Sequence, residues 1–438
     1  MNNNKFEYTP WLPCDNPEWT RLQVKRRFTV ELGKMLQNVP NDSSDQEVPY
    51  LKSIHVQWEK VILDDLPTMW ASENDIAALN IQVGDLLVCE GGEVGRAAIM
   101  NQQPPENCII QNALHRVRAV ENGDVHFLRY ILLHASNQEW FNVLCNRSTI
   151  AHFTAEKFKE MWIWVPAYES QRRIAAYLDR ETAHIDALIA AKERLLTLLA
   201  EKRQALIARA VTSGLDPNVK MKDSGVEWLG EVPEGWDVVK LKYIVSITGG
   251  GTPSKSNEEY WQGKIPWVSP KDMKSFFITE TEDYISDVAL IESSTNLIPS
   301  NSLLVVVRSG ILRHTIPIGI NLIPVALNQD MKALMSSNNR IFIQYLSQII
   351  LGFQRLLLPE WVKQGATVES IEMEFFQNTL FPLPSIEEQK AIVSHIQNET
   401  TQLDALRSAT ERTITLLKER RSALIGAAVT GQIEITKS

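Results

Sequence analysis

Polar residues on loop-like stretches of this chain include the side-chain types that contact nucleic acids. Arg and Lys recognise guanine, Asn and Gln recognise adenine, Ser and Thr serve either base, and Lys and Arg also bind phosphates. In the second half the candidates are Thr252, Ser254, Lys255, Ser269, Lys271, Asp272, Arg308, Ser309, Gln329, Lys363, Gln364 and Thr367. In the first half they are Lys52, Ser53, Arg96, Gln111, Asn112, Asn146, Arg147, Ser148 and Thr149. For each residue taken alone, a structural or surface role is the alternative.

A glycine-rich stretch, Gly249 to Gly251, immediately precedes Thr252. Glycine has no side chain to keep a backbone at a distance, and Lys255 adds positive charge nearby, so the stretch predicts a loop that approaches DNA. The alternative is a plain turn. A phosphate-binding P-loop is excluded because the pattern G-x-x-x-x-G-K-[ST] is absent.

The residues that catalysis would need are not arranged in any familiar motif. Pro104 and Pro105 form the only Pro-Pro pair, and QQPPENC does not fit the tetrapeptide of an amino-methyltransferase. The stretch Gly91–Gly95 is too short for a cofactor loop, and Glu360 with Lys363 lacks the preceding acidic ligand of a nuclease site. The eight histidines form no paired metal motif. We therefore expect no catalytic site, no metal and no cofactor in this chain.

Composition bounds the class of protein. The 438 residues carry 44 Lys and Arg against 53 Asp and Glu, a net charge of −9, which counts mildly against DNA binding but does not exclude one basic face. The four cysteines form no C-x-x-C pair, which is typical of a reducing cytosol. There is no apolar signal segment and no apolar run long enough to span a bilayer, so we expect a cytoplasmic protein.

The chain contains an internal repeat. Residues Pro166–Thr212 align without a gap to Pro384–Thr430, from PAYESQRRIAAYLDR and PSIEEQKAIVSHIQN to matching ALIARAVT and ALIGAAVT ends. Upstream the similarity is weaker, with Trp19 matching Trp236 and Pro49 matching Pro266. The Thr248–Ser254 loop shows no counterpart in the first half. The order is therefore variable domain, helical segment, variable domain, helical segment.

Both repeated segments are predicted to be long helices. They are rich in Ala, Leu, Glu, Lys and Arg, and apolar residues recur at steps of three and four, the pattern of a coiled-coil seam. Such a rod needs a partner, and the other copy is the obvious one. The predicted seam comprises Ile174, Leu178, Ile185, Leu188, Leu199, Leu206, Ile392, Ile396, Leu403, Leu406, Leu417 and Leu424.

The predicted fold class is α+β: two α/β domains joined by two long antiparallel helices that form a coiled coil, with an internal pseudo-two-fold repeat. The domain boundaries are placed at residues 1–165, 166–215, 216–382 and 383–438. Strands are predicted at Asp85–Cys89, Ser302–Val307 and Thr379–Leu383, and shorter helices at Val125–Ala135 and Arg340–Ile350.

Nearly the whole length resembles the specificity subunits of type I restriction–modification systems. The most specific stretches are PLPSIEEQKAIVSHI, DSGVEWLGEVPEGWDVVKLK, TGGGTPSKSNEEYWQGKIPWVSPKDM, GDLLVCEGGEVGRAAIM and QNALHRVR. The resemblance implies two target-recognition domains and two conserved helical regions. It also implies that the chain binds double-stranded DNA, reads an asymmetric bipartite target and docks two methyltransferase subunits, with motor–nuclease subunits joining for cleavage. S-adenosylmethionine, ATP and Mg²⁺ would belong to those partners.

Two other classes of function remain open at this point. The chain could itself be a methyltransferase or nuclease, which a methylation assay on the isolated chain would reveal. It could also be a helical scaffold that binds proteins and no DNA, which predicts no sequence-dependent gel shift with its partner present. The absent catalytic motifs count against the first.

Overall fold

The structure, a computed structural model, describes residues 11–14, 16–144, 153–362 and 368–435. Its contacts divide the chain into two compact units. The first unit comprises Met1–Glu193 with Arg412–Ser438, and the second comprises Arg194–Glu411. Among the described residues, none of the helices combines the length and apolar character that crossing a membrane requires.

The first unit begins with a strand-rich region. Its strands are β1 (Thr20–Gln23), β2 (Phe28–Leu32), β3 (Gln46–Leu51), β4 (Val56–Gln57), β5 (Lys60–Val61), β6 (Thr68–Ala71), β7 (Leu86–Cys89), β8 (Ala97–Ile99), β9 (Ile109–Ile110), β10 (Leu114–Ala119) and β11 (Trp162–Val165). Its helices are α1 (Glu73–Leu79), α2 (Val125–Asn137), α3 (Trp140–Leu144) and α4 (Ala155–Glu160), and the long helix α5 (Tyr168–Ser213) follows.

The second unit has a similar order of elements. Its strands are β12 (Met221–Asp223), β13 (Glu231–Pro233), β14 (Asp237–Lys240), β15 (Val245–Gly249), β16 (Ile265–Val268), β17 (Phe277–Ile278), β18 (Asp283–Ile285), β19 (Leu297–Ile298), β20 (Leu303–Val306), β21 (Ile318–Asn321), β22 (Val325–Leu327), β23 (Met331–Ser336) and β24 (Leu380–Leu383). Its helices are α6 (Asp287–Glu292), α7 (Ile343–Trp361) and α8 (Met373–Asn378), and the long helix α9 (Ile386–Val429) ends the described helical structure.

Sheet topology confirms the internal repeat. The larger sheet has the order β2-β10-β7-β8 in the first unit and β15-β23-β20-β21-β17 in the second. The smaller sheet has the order β6-β3-β9 in the first unit and β18-β16-β22-β19 in the second. In each unit the last strand before the long helix pairs antiparallel with an early one, β11 with β1 and β24 with β14. The second unit therefore has the first unit's scaffold plus one extra edge strand in each sheet.

The predicted strands are confirmed as β7, β20 and β24, and the predicted shorter helices as α2 and α7. The second of these helices was placed too short, because α7 continues to Trp361 through Pro359 in its last turns. Trp361 is fully buried, and its indole N–H donates to the hydroxyl of Thr379 at 2.7 Å. Burial of this large side chain stabilises the helix end that the proline weakens.

In the first unit the beginning of α5 packs antiparallel to the end of α9. Ile174 and Leu178 share one apolar core with Ile425 and Val429. Further along the pair, the guanidinium of Arg421 binds the carboxylate of Asp186 at 2.9 Å. Residue numbers rise along one helix as they fall along the other, which is the predicted antiparallel direction.

The second unit holds the other ends of the same helices in the same way. Ile207 and Val211 of α5 share a core with Ile392 and Ile396 of α9. Arg203 binds the carboxylate of Asp404 at 2.7 Å. The alignment of the repeated segments matches Asp186 with Asp404 and Arg421 with Arg203, so each unit contains its own copy of this ion pair.

The predicted seam is buried in part. Ile174, Leu178, Ile185, Leu199, Ile392 and Ile396 are buried, and Leu206, Leu403, Leu417 and Leu424 are half-buried. Leu188 and Leu406, which the repeat aligns with each other, are exposed, and their placement in the seam was wrong. A step of three residues falls about 60° short of a full helical turn, so Leu188 rotates away from the face that carries Ile185.

Candidate nucleic-acid interface

In the second unit, backbone hydrogen bonds bring together several segments that carry predicted DNA contacts, at the ends of β16 and β20. We call this region, and its equivalent in the first unit, the candidate reading edge. The N–H of Asn328 donates to the carbonyl of Val268 at 3.0 Å, and the N–H of Gly251 donates to Leu327 at 2.9 Å. The N–H of Val307 donates to the carbonyl of Asp330 at 2.8 Å. The turn that carries Gln329 is thereby fixed beside the ends of β16 and β20 and beside the glycine-rich stretch.

A cleft of about 450 Å³ opens at this edge. It is lined by Pro270, Arg308, Ser309, Gly310, Gln329, Asp330 and Val368. Arg308 and Gln329 are exposed, and the hydroxyl of Thr252 donates to the side-chain oxygen of Gln329. Arg308, Ser309, Gln329 and Thr252 are thus brought together, with the donor and acceptor types that base edges require.

Two predicted contacts in this region are structural. The carboxylate of Asp272 accepts hydrogen bonds from the backbone and hydroxyl of Ser269 at 2.8 and 2.9 Å, and from the N–H of Glu282 at 2.8 Å. Ser269 is buried. Ser269 and Asp272 thus cap the short 3-10 helix Pro270–Asp272, and their prediction as DNA contacts stays a prediction. The cap leaves Lys271 exposed.

The glycine-rich stretch packs against a turn of its own unit. A Cβ on Gly250 would lie 2.2 Å from the carbonyl oxygen of Asn328, so glycine is needed for close approach to the chain's own turn. The carbonyl of Ser254 accepts a hydrogen bond from the indole of Trp261 at 3.2 Å, and its hydroxyl lies 2.8 Å from that of Ser256. Ser254 and Lys255 are exposed and remain candidates.

The first unit forms the same edge with different residues. The N–H of Gln111 donates to Leu51 at 2.9 Å, and the N–H of Lys34 donates to Ile110 at 2.9 Å. A Cβ on Gly33 would lie 2.2 Å from the carbonyl oxygen of Gln111. The first half therefore has a counterpart of Gly250 and Gly251 in Gly33 and Lys34, contrary to the sequence alignment. A single shared glycine was too weak a signal to align.

These matching hydrogen bonds define equivalent residues, meaning residues that take the same backbone partners in the two units. Gln111 is equivalent to Asn328, which makes Asn112 equivalent to Gln329. The N–H of Glu90 donates to Ala113 at 2.9 Å, as Val307 does to Asp330, so Gly91 and Gly92 occupy the places of Arg308 and Ser309. Asn112 is exposed, like Gln329.

Other candidates of the first unit are held by the protein. Arg96 donates to the carbonyl of Ser53 at 2.8 Å and to the carboxylate of Glu93 at 2.9 Å, with most of its side chain covered. The guanidinium thus holds two segments together, and a DNA contact by Arg96 stays a prediction. Ser53 and the half-buried Lys52 flank the beginning of a 3-10 helix that ends at His55, whose pKa is lowered by burial and by nearby Lys52.

Some predicted contacts lie outside the described residues. They are Asn146, Arg147, Ser148, Thr149, Lys363, Gln364 and Thr367.

Sequence reasoning missed the residue that attaches each long helix to the domain before it. Buried Gln171 donates to the carbonyls of Pro166 and Asn122 at 2.9 and 3.1 Å and accepts from the N–H of Asp124 at 3.1 Å. Buried Gln389 donates to Pro384 and Arg340 at 2.9 and 3.0 Å and accepts from Phe342 at 2.7 Å. The signal was its identity in both copies of the repeated segment.

The two units differ in charge at one equivalent position, which is a buried histidine in the first unit. His115, on β10, donates from Nε2 to the carbonyl of Phe153 at 2.7 Å, while Nδ1 has no partner among the described residues. Burial lowers the pKa of His115 to about 4. The equivalent residue on β23 is Lys332, which is half-buried. Across the described part of the chain, no group of His, Cys, Asp and Glu side chains has the arrangement to hold a metal ion.

Comparisons with known proteins agree with this duplicated architecture. The family model for the type I restriction modification DNA specificity domain matches residues 40–197 and 233–415, which is more than half of the chain. The EcoR124I/EcoR124II specificity subunit of Escherichia coli is 36% identical over 208 residues, covering 47% of this chain and 48% of that protein. The alignment thus spans about half of that relative. A putative MjaX specificity subunit of Methanocaldococcus jannaschii is 23% identical over 378 residues, 83% of this chain and 81% of that protein.

Solved structures show the same fold. A chain from a structure on complex assembly and conformational transition of the type I restriction–modification system matches with a TM-score of 0.73 at 17% identity, covering 95% of this chain and 99% of that one. The HsdS subunit of Thermoanaerobacter tengcongensis matches with a TM-score of 0.59 at 18% identity, covering 95% and 98%. With two copies of the family's domain, this chain belongs to the specificity subunits of type I restriction–modification systems.

Proposed function

We propose that this subunit selects the DNA target of its complex, and that each unit reads its own half of an asymmetric bipartite site. The observation that carries the proposal is the equivalent edge of the two units. One set of backbone hydrogen bonds presents Thr252, Arg308 and Gln329 in one unit and Asn112 in the other. A shared scaffold with different exposed residues supports recognition of two different sequences.

The chemistry of the second edge fits base reading in the major groove. Arginine can donate two hydrogen bonds to guanine, and glutamine can donate to and accept from adenine. Arg308 and Gln329 border the same cleft, so they can reach neighbouring bases. Lys271 and Lys255, both exposed, are placed to bind phosphates and thereby set the register on the duplex.

The long helices are the proposed docking surface for two methyltransferase subunits. Leu198 on α5 is 60% exposed and Leu416 on α9 is 63% exposed, and the repeat aligns them with each other. The exposed Leu188 and Leu406 form a second aligned pair. Repeated exposed leucines on polar helices offer two equal apolar anchors for two copies of one partner.

Catalysis is assigned to the partners in this proposal. The methyltransferase subunits would bind S-adenosylmethionine and flip the target adenine out of the duplex, because the amino group is not reachable inside the base stack. The motor–nuclease subunits would use ATP and Mg²⁺. This chain would contribute position and sequence choice, and no reacting group.

The proposal is tested by sequencing methylated adenines in DNA treated with this chain and its methyltransferase partner. We expect one asymmetric motif with two specified halves and an unspecified gap. Replacement Arg308→Ala should relax one position in one half, at a cost of about 1–3 kcal/mol in discrimination. Arg355→Ala is the matched control, because Arg355 is exposed on α7 away from the cleft. Methylation without sequence preference would contradict the proposal and favour a scaffold role.

A further inference from the structure

Two exposed apolar residues lie on the segments that neighbour Asn112, at positions where the second unit carries polar ones. Met35 is 75% exposed and Ile54 is 58% exposed. Single exposed apolar residues are common on protein surfaces. Met35 and Ile54 differ from such isolated residues because backbone contacts place the segments that carry them at the candidate reading edge of the first unit.

The segment that carries Met35 is held next to Asn112 by a backbone hydrogen bond to the preceding residue, Lys34. The N–H of Asn112 donates at 2.9 Å to the carbonyl of Lys34, which belongs to the peptide group that joins Lys34 to Met35. The ammonium group of Lys34 is bound to the carboxylate of Asp75 at 2.8 Å. The residue that extends freely at this point is therefore the apolar Met35.

Ile54 lies on the other side of the same turn. The N–H of Gln111 donates to the carbonyl of Leu51 at 2.9 Å, which anchors the turn to the end of β3. Ile54 follows within the 3-10 helix Ser53–His55. Asn112 thus lies between two segments, each of which carries one exposed apolar residue.

In the second unit, the positions equivalent to Met35 and Ile54 carry polar residues. Thr252 is equivalent to Met35 and donates to Gln329, the equivalent of Asn112. Lys271 is equivalent to Ile54 and is exposed. The comparison indicates that these positions change character with the sequence to be read, while the backbone that presents them stays the same.

We propose that the first unit reads thymine methyl groups through Met35 and Ile54, on either side of an adenine that hydrogen-bonds Asn112. The C5-methyl of thymine is the one apolar group that a base pair presents in the major groove, and asparagine can bind both N6 and N7 of adenine. Burying Met35 and Ile54 against those methyl groups removes apolar surface from water. This inference rests on the proposed function and names what one half-site contains.

The test uses DNA in which 2′-deoxyuridine replaces thymidine, which removes the methyl group and keeps the base pairing. The half-site read by the first unit is identified as the one that Asn112→Ala relaxes in methylation sequencing. Thymines in that half are then replaced one at a time, and binding by the complex with methyltransferase is measured. We expect about three- to fivefold weaker binding for each contacted methyl group.

Variants of this chain make the test specific. In Met35→Ala and Ile54→Ala, one deoxyuridine substitution each should lose its effect, because the side chain that contacts that methyl group is gone. Val83→Ala is the matched control, since Val83 is 56% exposed near the opposite end of β7 and should keep the full response. All three sites are exposed, so folding is preserved.

Equal binding of thymidine-containing and deoxyuridine-containing DNA by the unmodified chain would overturn the inference. The proposed function would still stand in that case, provided that methylation remained sequence-specific. Loss of assembly with the methyltransferase in Met35→Ala, with the deoxyuridine response intact, would also overturn the inference and make this edge a protein contact. Absence of any methylation motif would instead reject the proposed function itself.

Discussion

The two units share a backbone and differ in the side chains that the backbone presents. Gln171 and Gln389 make the same three hydrogen bonds, and Gly33 and Gly250 pack equally tightly on an equivalent turn. At the exposed edge, Asn112 replaces Gln329. Buried polar groups and close approaches have to be conserved for folding, whereas exposed positions can change without a stability cost.

The comparison shows that the positions that hold the fold are the same in both units, whereas the positions proposed for recognition differ. The repeated ion pairs, Asp186 with Arg421 and Asp404 with Arg203, and the repeated glutamines occupy interior or helix-contact positions in both units. The differences include the extra strands β17 and β19, the strand pairs β4–β5 and β12–β13, the residues at the candidate reading edge, and the replacement of His115 by Lys332.

Charge placed on the exposed leucines should have the largest effect. Leu198→Glu and Leu416→Glu each bury a carboxylate against the proposed partner surface, at a cost of about 3–5 kcal/mol in binding. Native mass spectrometry of the complex should show two methyltransferase subunits for the unmodified chain, one for each single variant and none for the double variant. If one substitution removed both partners and the other removed none, the two helices would not be equivalent docking surfaces.

Acid should destabilise the first unit more than the second. The pKa of His115 is lowered to about 4 by burial, below its ordinary value near 6.5, so the unfolded chain takes up a proton that the folded chain excludes. The free energy of unfolding of the first unit therefore decreases as the pH falls from about 6.5 to about 4, and the loss reaches about 3 kcal/mol at the lower end. Hydrogen exchange at pH 7 and pH 5 should show β10 losing protection and β23 keeping it.

The control for this prediction is His115→Gln, which can still donate to Phe153 but cannot be protonated. In that variant the difference between β10 and β23 should shrink. Equal loss of protection in the two strands of the unmodified chain would remove His115 as the cause.

Replacing the buried glutamines should cost similar amounts in the two units. Gln171→Leu and Gln389→Leu each remove the partner of one part-buried N–H and of two carbonyls, which should destabilise the unit concerned by about 2–3 kcal/mol. Chemical denaturation monitored separately in each unit measures the loss. Gln402→Leu is the surface control, because Gln402 is exposed on α9. A large loss for one glutamine and none for the other would show that the two attachments differ in strength.

Much of the fold could be predicted from the sequence. The ungapped match of Pro166–Thr212 to Pro384–Thr430 and the helical spacing of Ile174 and Leu178 predicted two long paired helices, and α5 and α9 confirm them. Periodicity is a local property, so it can be read without knowing the partner segment. Periodicity failed at Leu188 and Leu406, which fit the spacing of three and four residues but lie off the buried face of their helices.

The candidate interface was predicted less well because its contacts join distant segments. Arg96 is fixed by the carbonyl of Ser53, and Gly250 approaches the carbonyl of Asn328 so closely that a Cβ would clash with it. Residue type predicts that a side chain can bind DNA, but only the tertiary structure shows whether the protein itself already occupies it. Arg308, Gln329 and Asn112 remain exposed, and they are the strongest of the predicted contacts.

The most direct test compares the methylation motifs of Arg308→Ala and Asn112→Ala with that of the unmodified chain, by sequencing methylated adenines. Each variant should lose about 1–3 kcal/mol of discrimination at one base pair, with the two relaxed positions in opposite halves of the site and the gap unchanged. Relaxation of the same half by both variants, or of neither half by either, would contradict the claim that each unit reads its own half-site.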